Sequence, residues 1–202
     1  MPTPILAITG ASGSIYGVRL LQVLVEQGLE PVVLVSDAAR LVLRAELGTD
    51  RLSDLVTARL VGAPGYREES IQNLAAPIAS GSFPTSAMVI APCSMGTAAA
   101  VAHGICGNLI HRAADVVLKE RRKLILVPRE TPMHAGHLQN LKTLAELGAV
   151  ILPAMPAFYH RPATIEELAD TVVARILDHL GIDHPMIRRW GAPSEIPLDD
   201  RL

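Results

Sequence analysis

Residues 5–17 read ILAITGASGSIYG and decide the class of fold. The first five are apolar or β-branched, as in a strand buried on both faces, and the rest form a glycine-rich turn that leads into a helical pattern. Glycines at such a turn let the backbone approach a phosphate, and the N–H groups at the helix start point at the anion. The spacing is GxxGxxxG rather than the GxGxxG of a typical dinucleotide fold, so a plain tight turn is the alternative. The stretch favours a phosphate-binding α/β fold.

The alternation of strand and helix continues along the chain. Nearly continuous apolar runs predict buried parallel strands, and the 3.6-residue periodicity between them predicts helices on right-handed crossovers. We expect a three-layer sandwich with strands at 5–9, 31–35, 87–91, 123–128 and 149–153, and helices at 15–27, 38–46, 97–103, 109–121, 137–147 and 164–180. Residues 62–84 are weakly periodic and are interpreted as a long loop, a candidate lid. The domain is assigned to residues 1–182, and residues 183–202 form a tail that contributes to an oligomer or to the site.

The composition suits this fold and argues against several classes of protein. The chain has 202 residues, of which 50% are hydrophobic and only 3% aromatic, so one aliphatic core is expected. The formal net charge of −2 gives no electrostatic basis for binding nucleic acid. Two cysteines fit a reducing compartment, no signal-peptide pattern is present, and no apolar run approaches the roughly 20 residues that a membrane span needs. The expectation is a soluble, cytoplasmic protein that does not enter a membrane.

Polar residues follow the second and third predicted strands. Asp37 lies about 20 residues after the glycine-rich turn, where an acid can bind a ribose hydroxyl of NAD. The alternative is that Ser36 or Asp37 caps the next helix, and we assign the cap to Asp37, which leaves Ser36 free to bind a ligand. The third strand is followed by Ser94 and Thr97 at the start of a helix, at the edge where open α/β sheets bind ligands. Cys93 has no adjacent base and is interpreted as a small buried residue.

A charged constellation lies in the second half of the chain. Arg112, Asp115 and Lys119 are spaced for one helix face, and a solvated, salt-bridged face is the alternative. Arg129-Glu130 follows the fourth strand at its ligand-binding end. Cations that surround a carboxylate would suit a phosphate site with an acid/base residue. No sequence motif typical of a metal site is present.

Seven motifs, in register from about residue 5 to residue 190, resemble the UbiX/Pad family of flavin prenyltransferases. They are Gly10-Ala11-Ser12-Gly13 with Tyr16-Gly17, Ser80-Gly81-Ser82-Phe83, Pro92-Cys93-Ser94-Met95, Arg112-Ala113-Ala114-Asp115, Leu118-Lys119-Glu120-Arg121-Arg122, Arg129-Glu130-Thr131-Pro132 and Pro156-Ala157-Phe158-Tyr159. Gly107 departs from the Asp or Asn that the family usually has there, which concerns turn geometry.

The resemblance implies a flavodoxin-like fold, a homo-oligomer that is usually a dodecamer, and active sites at subunit interfaces. It implies that the substrates are reduced FMN and dimethylallyl phosphate, with no metal. The dimethylallyl group would be joined to N5 and C6 of the flavin, and the prenylated FMN would serve a UbiD-type decarboxylase.

The resemblance also assigns roles to residues. FMN would be held by Gly10, Ala11, Ser12, Ser36, Ser94, Met95, Gly96, Thr97 and Arg129. The prenyl phosphate would be bound by Arg112, Lys119, Tyr159 and Arg175. Catalytic roles would fall to Glu130, Ser12, Lys119 and Glu46, of which Glu46 matches a family acid that reaches a neighbouring subunit's site.

Three alternatives remain open at this point. An FMN-dependent cysteine decarboxylase of the same fold would depend on a histidine just upstream of the third strand, and residues 74–90 contain none. A non-catalytic flavin carrier would leave Lys119, Glu130, Tyr159 and Arg175 without a role. A nicotinamide reductase that uses Asp37 is the third alternative.

Overall fold

The computed structural model describes residues 3–56, 65–187 and 189. The strands are β1 (Thr3–Ile8), β2 (Val32–Val35), β3 (Arg67–Glu69), β4 (Thr85–Cys93), β5 (Lys123–Pro128) and β6 (Val150–Ile151). The helices are α1 (Ser14–Glu26), α2 (Asp37–Leu47), α3 (Leu52–Val56), α4 (Met95–Ala102), α5 (Leu109–Lys119), α6 (Ala135–Glu146) and α7 (Ile165–Leu180), with a 3₁₀ helix at Pro77–Ala79. The six strands form one parallel sheet in the order β3-β2-β1-β4-β5-β6.

Each central strand is apolar on both faces because helices cover both sides of the sheet. In β1, Ile5 and Ala7 pack with α4, α5 and α6, whereas Leu6 and Ile8 pack with α1, α2, α3 and α7. Successive side chains of a strand point to opposite faces, so one continuous apolar run supplies both layers of core. The three-layer parallel sandwich is thereby confirmed.

Two elements depart from the prediction. Residues 62–84 are not simply a loop: β3 pairs with β2 along the sheet edge and the 3₁₀ helix follows it, while 62–64 lie outside the described residues. β3 consists of Arg67, Glu68 and Glu69, which carry no apolar signal because an edge strand is only partly covered. The short helix α3 was also missed.

Two helices begin two residues earlier than predicted. Ser94 caps α4 by accepting a hydrogen bond from Thr97 N, and His134 caps α6 by accepting from Gly136 N and His137 N. Histidine is an unusual capping residue, so the start of α6 could not be recognised from its cap.

None of the helices in the described ranges is long and apolar enough to cross a membrane. Of the tail predicted at 183–202, the structure covers 183–187 and 189, so the division of the chain at residue 182 stays a prediction.

Candidate functional site

A crevice is expected where β1 and β4 lie side by side. The chain leaves β1 toward β2 and leaves β4 toward β5, so the two crossovers run in opposite directions. Open α/β sheets bind ligands at such a switch point, beyond the carboxyl ends of the strands. We refer to this side of the sheet as the carboxyl edge and to the opposite side as the amino edge.

Thr9 joins the two strand ends. Its Oγ1 donates to Pro92 O at 2.8 Å and accepts from Ser94 N at 2.8 Å, and the residue is buried. The loops after β1 and β4 are therefore fixed to each other. The sequence analysis missed this role, although a hydroxyl residue at the end of an apolar strand was a usable signal.

The glycine-rich turn binds a carboxylate side chain of the same chain. Gly13 caps α1 with a φ of 102°, a conformation that favours glycine. The Glu46 carboxylate accepts from Gly13 N at 3.0 Å and from Ser14 N at 2.8 Å. Partial burial acts to raise the pKa of Glu46, but hydrogen bonds from the Ser12 hydroxyl and from these N–H groups outweigh it and hold the pKa below its ordinary value. A carboxylate of the same chain thus occupies part of the turn, and binding of a phosphate there stays a prediction.

Within one chain, Glu46 binds the glycine-rich turn because the last turn of α2 faces the positive end of the α1 dipole. That Glu46 also reaches a neighbouring subunit's site, as the resemblance implies, stays a prediction.

Gly17, the third glycine of the turn, serves packing. A Cβ added there would lie 2.3 Å from Ala91 O, so only glycine lets α1 approach β4 this closely. Beside it, Tyr16 is half-buried. Burial raises the pKa of its phenol, the charge of Arg129 opposes this rise, and the charge of Glu46 adds to it. Arg129 and Glu46 therefore lie close enough to act on the same ring.

Ser36, rather than Asp37, caps α2. Its Oγ accepts from Ala39 N at 3.1 Å, while Asp37 is the first helical residue and is exposed. The prediction that Asp37 is the cap was wrong, because the helix begins one residue earlier than its apolar pattern suggests. A serine hydroxyl that accepts one hydrogen bond can still donate its proton, so Ser36 keeps one group for a ligand.

At the start of α4, backbone N–H groups rather than side chains are available to a ligand. Ser94 Oγ bonds both Thr97 N and Thr97 Oγ1, the latter at 3.0 Å, and Met95 is buried in the core. A Cβ on the exposed Gly96 would meet nothing within 4 Å. Met95 and Gly96 can therefore contact a ligand through their N–H groups, which have no intrahelical partner at this position.

Cys93 is fully buried, as predicted, and burial raises the pKa of its thiol to about 12. The thiolate needed for nucleophilic attack does not form at neutral pH.

Arg129 and Glu130 follow β5 at the carboxyl edge. Arg129 N donates to Cys93 O at 3.3 Å, which sets this segment beside the end of β4. Glu130 is half-buried, and its Oε1 accepts from Thr131 N at 3.1 Å. The structure thus brings Ser12, Ser94, Arg129 and Glu130 to one edge of the sheet.

Lys119 lies at the other edge. It ends α5, and β5 begins at Lys123, so its position is at the amino end of β5. Lys119 forms an ion pair with Glu120, and a Cβ on Gly81, just before β4, would lie 2.7 Å from Lys119 Nζ. β5 spans six residues, which is about 20 Å of extended chain. Within one chain, Lys119 is therefore separated from Glu130 by the length of the sheet.

Arg112 donates hydrogen bonds both to a loop and to an acidic side chain. Its Nε donates to Ala79 O at 3.1 Å and its Nη1 to Asp115 at 2.9 Å, which confirms the shared helix face for this pair. The loop that continues from Ala79 is also held by Arg122, which donates to Gly81 O at 2.7 Å.

Tyr159 follows β6, and Arg175 lies on α7. Ala157 N donates to Thr171 Oγ1 at 3.0 Å, which ties the segment before Tyr159 to α7 one turn ahead of Arg175. Tyr159 is exposed, and Arg175 forms an ion pair with Asp178. The predicted substrate-binding residues thus come from α5, from the segment after β6 and from α7.

The sequence and the fold are both similar to those of known proteins. Residues 2–178 match the family model described as Flavoprotein. The chain is 52% identical over 193 residues to a protein named flavin prenyltransferase UbiX of Pseudomonas aeruginosa, an alignment that covers 92% of each. A crystal structure of AnUbiX (PadA1) in complex with FMN and dimethylallyl pyrophosphate matches with a TM-score of 0.86 at 38% identity, over 96% of this chain and 99% of the other.

A second solved structure is described as a dodecameric FMN-dependent UbiX-like decarboxylase from Escherichia coli O157:H7. It matches with a TM-score of 0.84 at 41% identity, over 94% of this chain and 100% of the other. Identity at this level over nearly the whole of both chains, together with the Flavoprotein match, settles the relationship. The chain belongs to the Flavoprotein family and, within it, to the UbiX-type flavin prenyltransferases.

Proposed function

We propose that this chain transfers a dimethylallyl group from dimethylallyl phosphate to N5 and C6 of reduced FMN. The observation that carries the proposal is identity of about half the residues to a named flavin prenyltransferase over 92% of each chain. In the balanced reaction, a bond forms between N5 and prenyl C1 as the C1–O bond breaks and phosphate leaves. A bond then forms between C6 and prenyl C3 while prenyl C2 gains a proton, and N5 and C6 each lose one.

The hydrogen-bond donors that border the crevice suit FMN. Among the described residues, the backbone N–H groups of Gly10, Ser12, Met95 and Gly96 have no hydrogen-bond partner, and they border the carboxyl edge. Backbone N–H groups at helix starts suit a phosphate and the carbonyl oxygens of a flavin ring. In this proposal the turn at Gly10–Ser12 and the Ser36 hydroxyl hold the phosphate and ribityl chain. Ser94 to Thr97 and Arg129 contact the flavin ring, which is the part of FMN that is alkylated.

Glu46 and Ser12 form one proton-handling unit in the proposal. The carboxylate lies within hydrogen-bonding range of the Ser12 hydroxyl and is held in place by two backbone donors. A hydroxyl that donates to a carboxylate has a lone pair directed elsewhere, so Ser12 can accept a proton from the flavin side and remain hydrogen-bonded. Glu130, at the same edge, is the second candidate acid/base.

The proposal requires more than one copy of the chain. Lys119 lies at the amino edge and Glu130 at the carboxyl edge, so a single copy cannot bring both to one substrate. We propose that Lys119 and Arg112 of one copy complete the site of another in a homododecamer. The dodecameric relative of the same fold supports this assembly. Lysine and arginine would supply the positive charge that a departing phosphate needs, without a metal ion.

The product, prenylated FMN, is a modified cofactor rather than an end product. We propose that a UbiD-type decarboxylase receives it, and that the protein acts in the cytoplasm, where the free thiols of Cys93 and Cys106 stay reduced.

The direct test is anaerobic incubation of the protein with reduced FMN and dimethylallyl phosphate. Mass spectrometry should show a flavin that has gained one prenyl unit, with one phosphate released for each. A flavin carrier would bind FMN but release no phosphate, and a cysteine decarboxylase would instead turn over a peptide with a carboxyl-terminal cysteine. A parallel incubation with dimethylallyl diphosphate identifies the donor.

A further inference from the structure

Asp178 connects three groups near the end of α7. Its Oδ2 accepts from Arg175 Nη1 at 2.6 Å, and its Oδ1 accepts from Arg189 Nη2 at 2.7 Å and from His184 Nε2 at 3.2 Å. The Asp178 side chain is only 16% exposed. The hydrogen bond from Arg189 contributes most to holding the pKa of Asp178 below its ordinary value, so the carboxylate is ionised at neutral pH. One half-buried carboxylate thus contacts the helix and the segment that follows it.

His184 holds the segment that follows α7 in contact with the helix. Its side chain is almost completely buried, and its Nδ1 accepts from Met186 N at 3.3 Å. Because Nδ1 is the acceptor, the ring proton lies on Nε2, which donates to Asp178. Nε2 therefore ties His184 to α7, while Nδ1 bonds the backbone of Met186 within the segment that follows the helix.

Two guanidinium groups, those of Arg175 and Arg189, share the Asp178 carboxylate, while His184 can act as a neutral donor. The charge of Asp183 also acts on Arg189. Within the described ranges, Asp178 is the acceptor that Arg175 contacts, so its Nε and Nη2 remain available for a further anion. A fixed guanidinium with open donors binds a phosphate better than a mobile one, because less side-chain entropy is lost on binding.

The segment that carries Tyr159 is tied to the same helix as Arg175. Thr171 lies four residues before Arg175 on α7 and accepts from Ala157 N, two residues from Tyr159.

We propose that Asp178 is a positioning residue for prenyl-phosphate binding, which fixes the Arg175 guanidinium and anchors His184 and Arg189 beside it. This inference rests on the proposed function, because Arg175 matters here as a ligand of the prenyl phosphate. Asp178 itself acts through Arg175 and contacts no substrate. Its effect is on the affinity for the prenyl donor and not on FMN.

The test compares Asp178→Asn with Asp170→Asn in the assembled enzyme. Asp170 lies on the same helix with the same 16% side-chain exposure, but it pairs with Arg19 of α1. Asp178→Asn should raise KM for dimethylallyl phosphate about tenfold, which is the effect of losing one charge-assisted hydrogen bond. The value of kcat and the Kd for FMN should change much less, and Asp170→Asn should leave all three near wild type.

A second readout is amide hydrogen exchange at residues 184–187 in flavin-free protein, where Met186 N donates to His184. Exchange should become faster in Asp178→Asn and in Arg189→Gln, because each releases the segment, and stay unchanged in Asp170→Asn. An equal rise in KM in both aspartate variants, or a wild-type KM and exchange rate in Asp178→Asn, would overturn the inference. Absence of prenyl transfer by the wild-type enzyme would instead reject the proposed function.

Discussion

Glu46, in the last turn of α2, accepts a 2.8 Å hydrogen bond from the backbone N–H of Ser14, in the first turn of α1. The contact places a negative charge of the same chain at the positive end of the α1 dipole. A phosphate that binds the glycine-rich turn must therefore use the donors that Glu46 leaves open, those of Gly10 and Ser12. The carboxylate and the phosphate would then lie side by side, which makes Glu46 a determinant of both stability and binding.

Glu46→Gln should lower the free energy of unfolding at neutral pH by about 0.5–1 kcal/mol, the range for a solvent-screened carboxylate at a helix N-terminus. Because folding lowers the pKa of Glu46, its stabilisation is present above the ordinary glutamate pKa and is lost as the pH falls through the folded-state value. Urea unfolding across acidic and neutral pH should show the two proteins converging in acid. Glu30→Gln, in an exposed loop, is the control and should show no such convergence.

Thr9→Val should destabilise the fold by about 1–3 kcal/mol, because it keeps the shape but leaves Ser94 N without an acceptor in a buried environment. Pro92 O keeps the bond from Thr9 N, so the loss falls mainly on the loop after β4. FMN affinity should fall as well, since that loop borders the crevice. Thr143→Val, on the outer side of α6, removes a hydroxyl of a local helix contact and should have little effect on either measurement.

Gly17→Ala and Gly96→Ala form a matched pair of helix substitutions. The first forces a methyl group to within 2.3 Å of Ala91 O and should cost about 2–3 kcal/mol of stability, because backbone must move to relieve it. The second adds a methyl group in open space and should fold as stably as wild type. Thermal unfolding measures both. Equal stability of the two variants would mean that α1 does not depend on close contact with β4.

Glu130→Gln should bind FMN normally but form prenylated flavin more slowly, by about 10²–10⁴-fold, because it keeps the shape and loses the acid/base group. Lys119→Ala should instead raise KM for dimethylallyl phosphate, since it removes a phosphate contact. Flavin titration and quenched-flow product analysis separate the two effects. A wild-type rate for Glu130→Gln would assign the proton transfer to another group.

The fold could be predicted from sequence because its signals are local. Continuous apolar strands and the glycine-rich turn identified the parallel sheet, and both Gly13 and Gly17 proved to be required by backbone conformation or close approach. The polar edge strand β3 was missed because Arg67, Glu68 and Glu69 pair through their backbone, which leaves no side-chain pattern.

The site was harder to predict from the sequence than the fold, since it depends on contacts between residues distant in sequence. Glu46 binds the backbone of Ser14, which lies 32 residues earlier in the chain. Nothing in the sequence around Glu46 indicates this contact. The edge at which Lys119 lies did have a signal. A residue that ends a helix four positions before a strand must lie at the amino edge, and this argument alone separates it from Glu130.

We propose that prenyl transfer takes place at a site built from opposite edges of different copies. Oligomers of Lys119→Ala and of Glu130→Gln, each assayed at a low concentration of dimethylallyl phosphate, should form almost no prenylated FMN. Dissociated, mixed and reassembled, the two variants should regain activity, because some sites then combine Lys119 of one copy with Glu130 of another. Mixed oligomers that remain as inactive as either parent would rule out a site shared between copies.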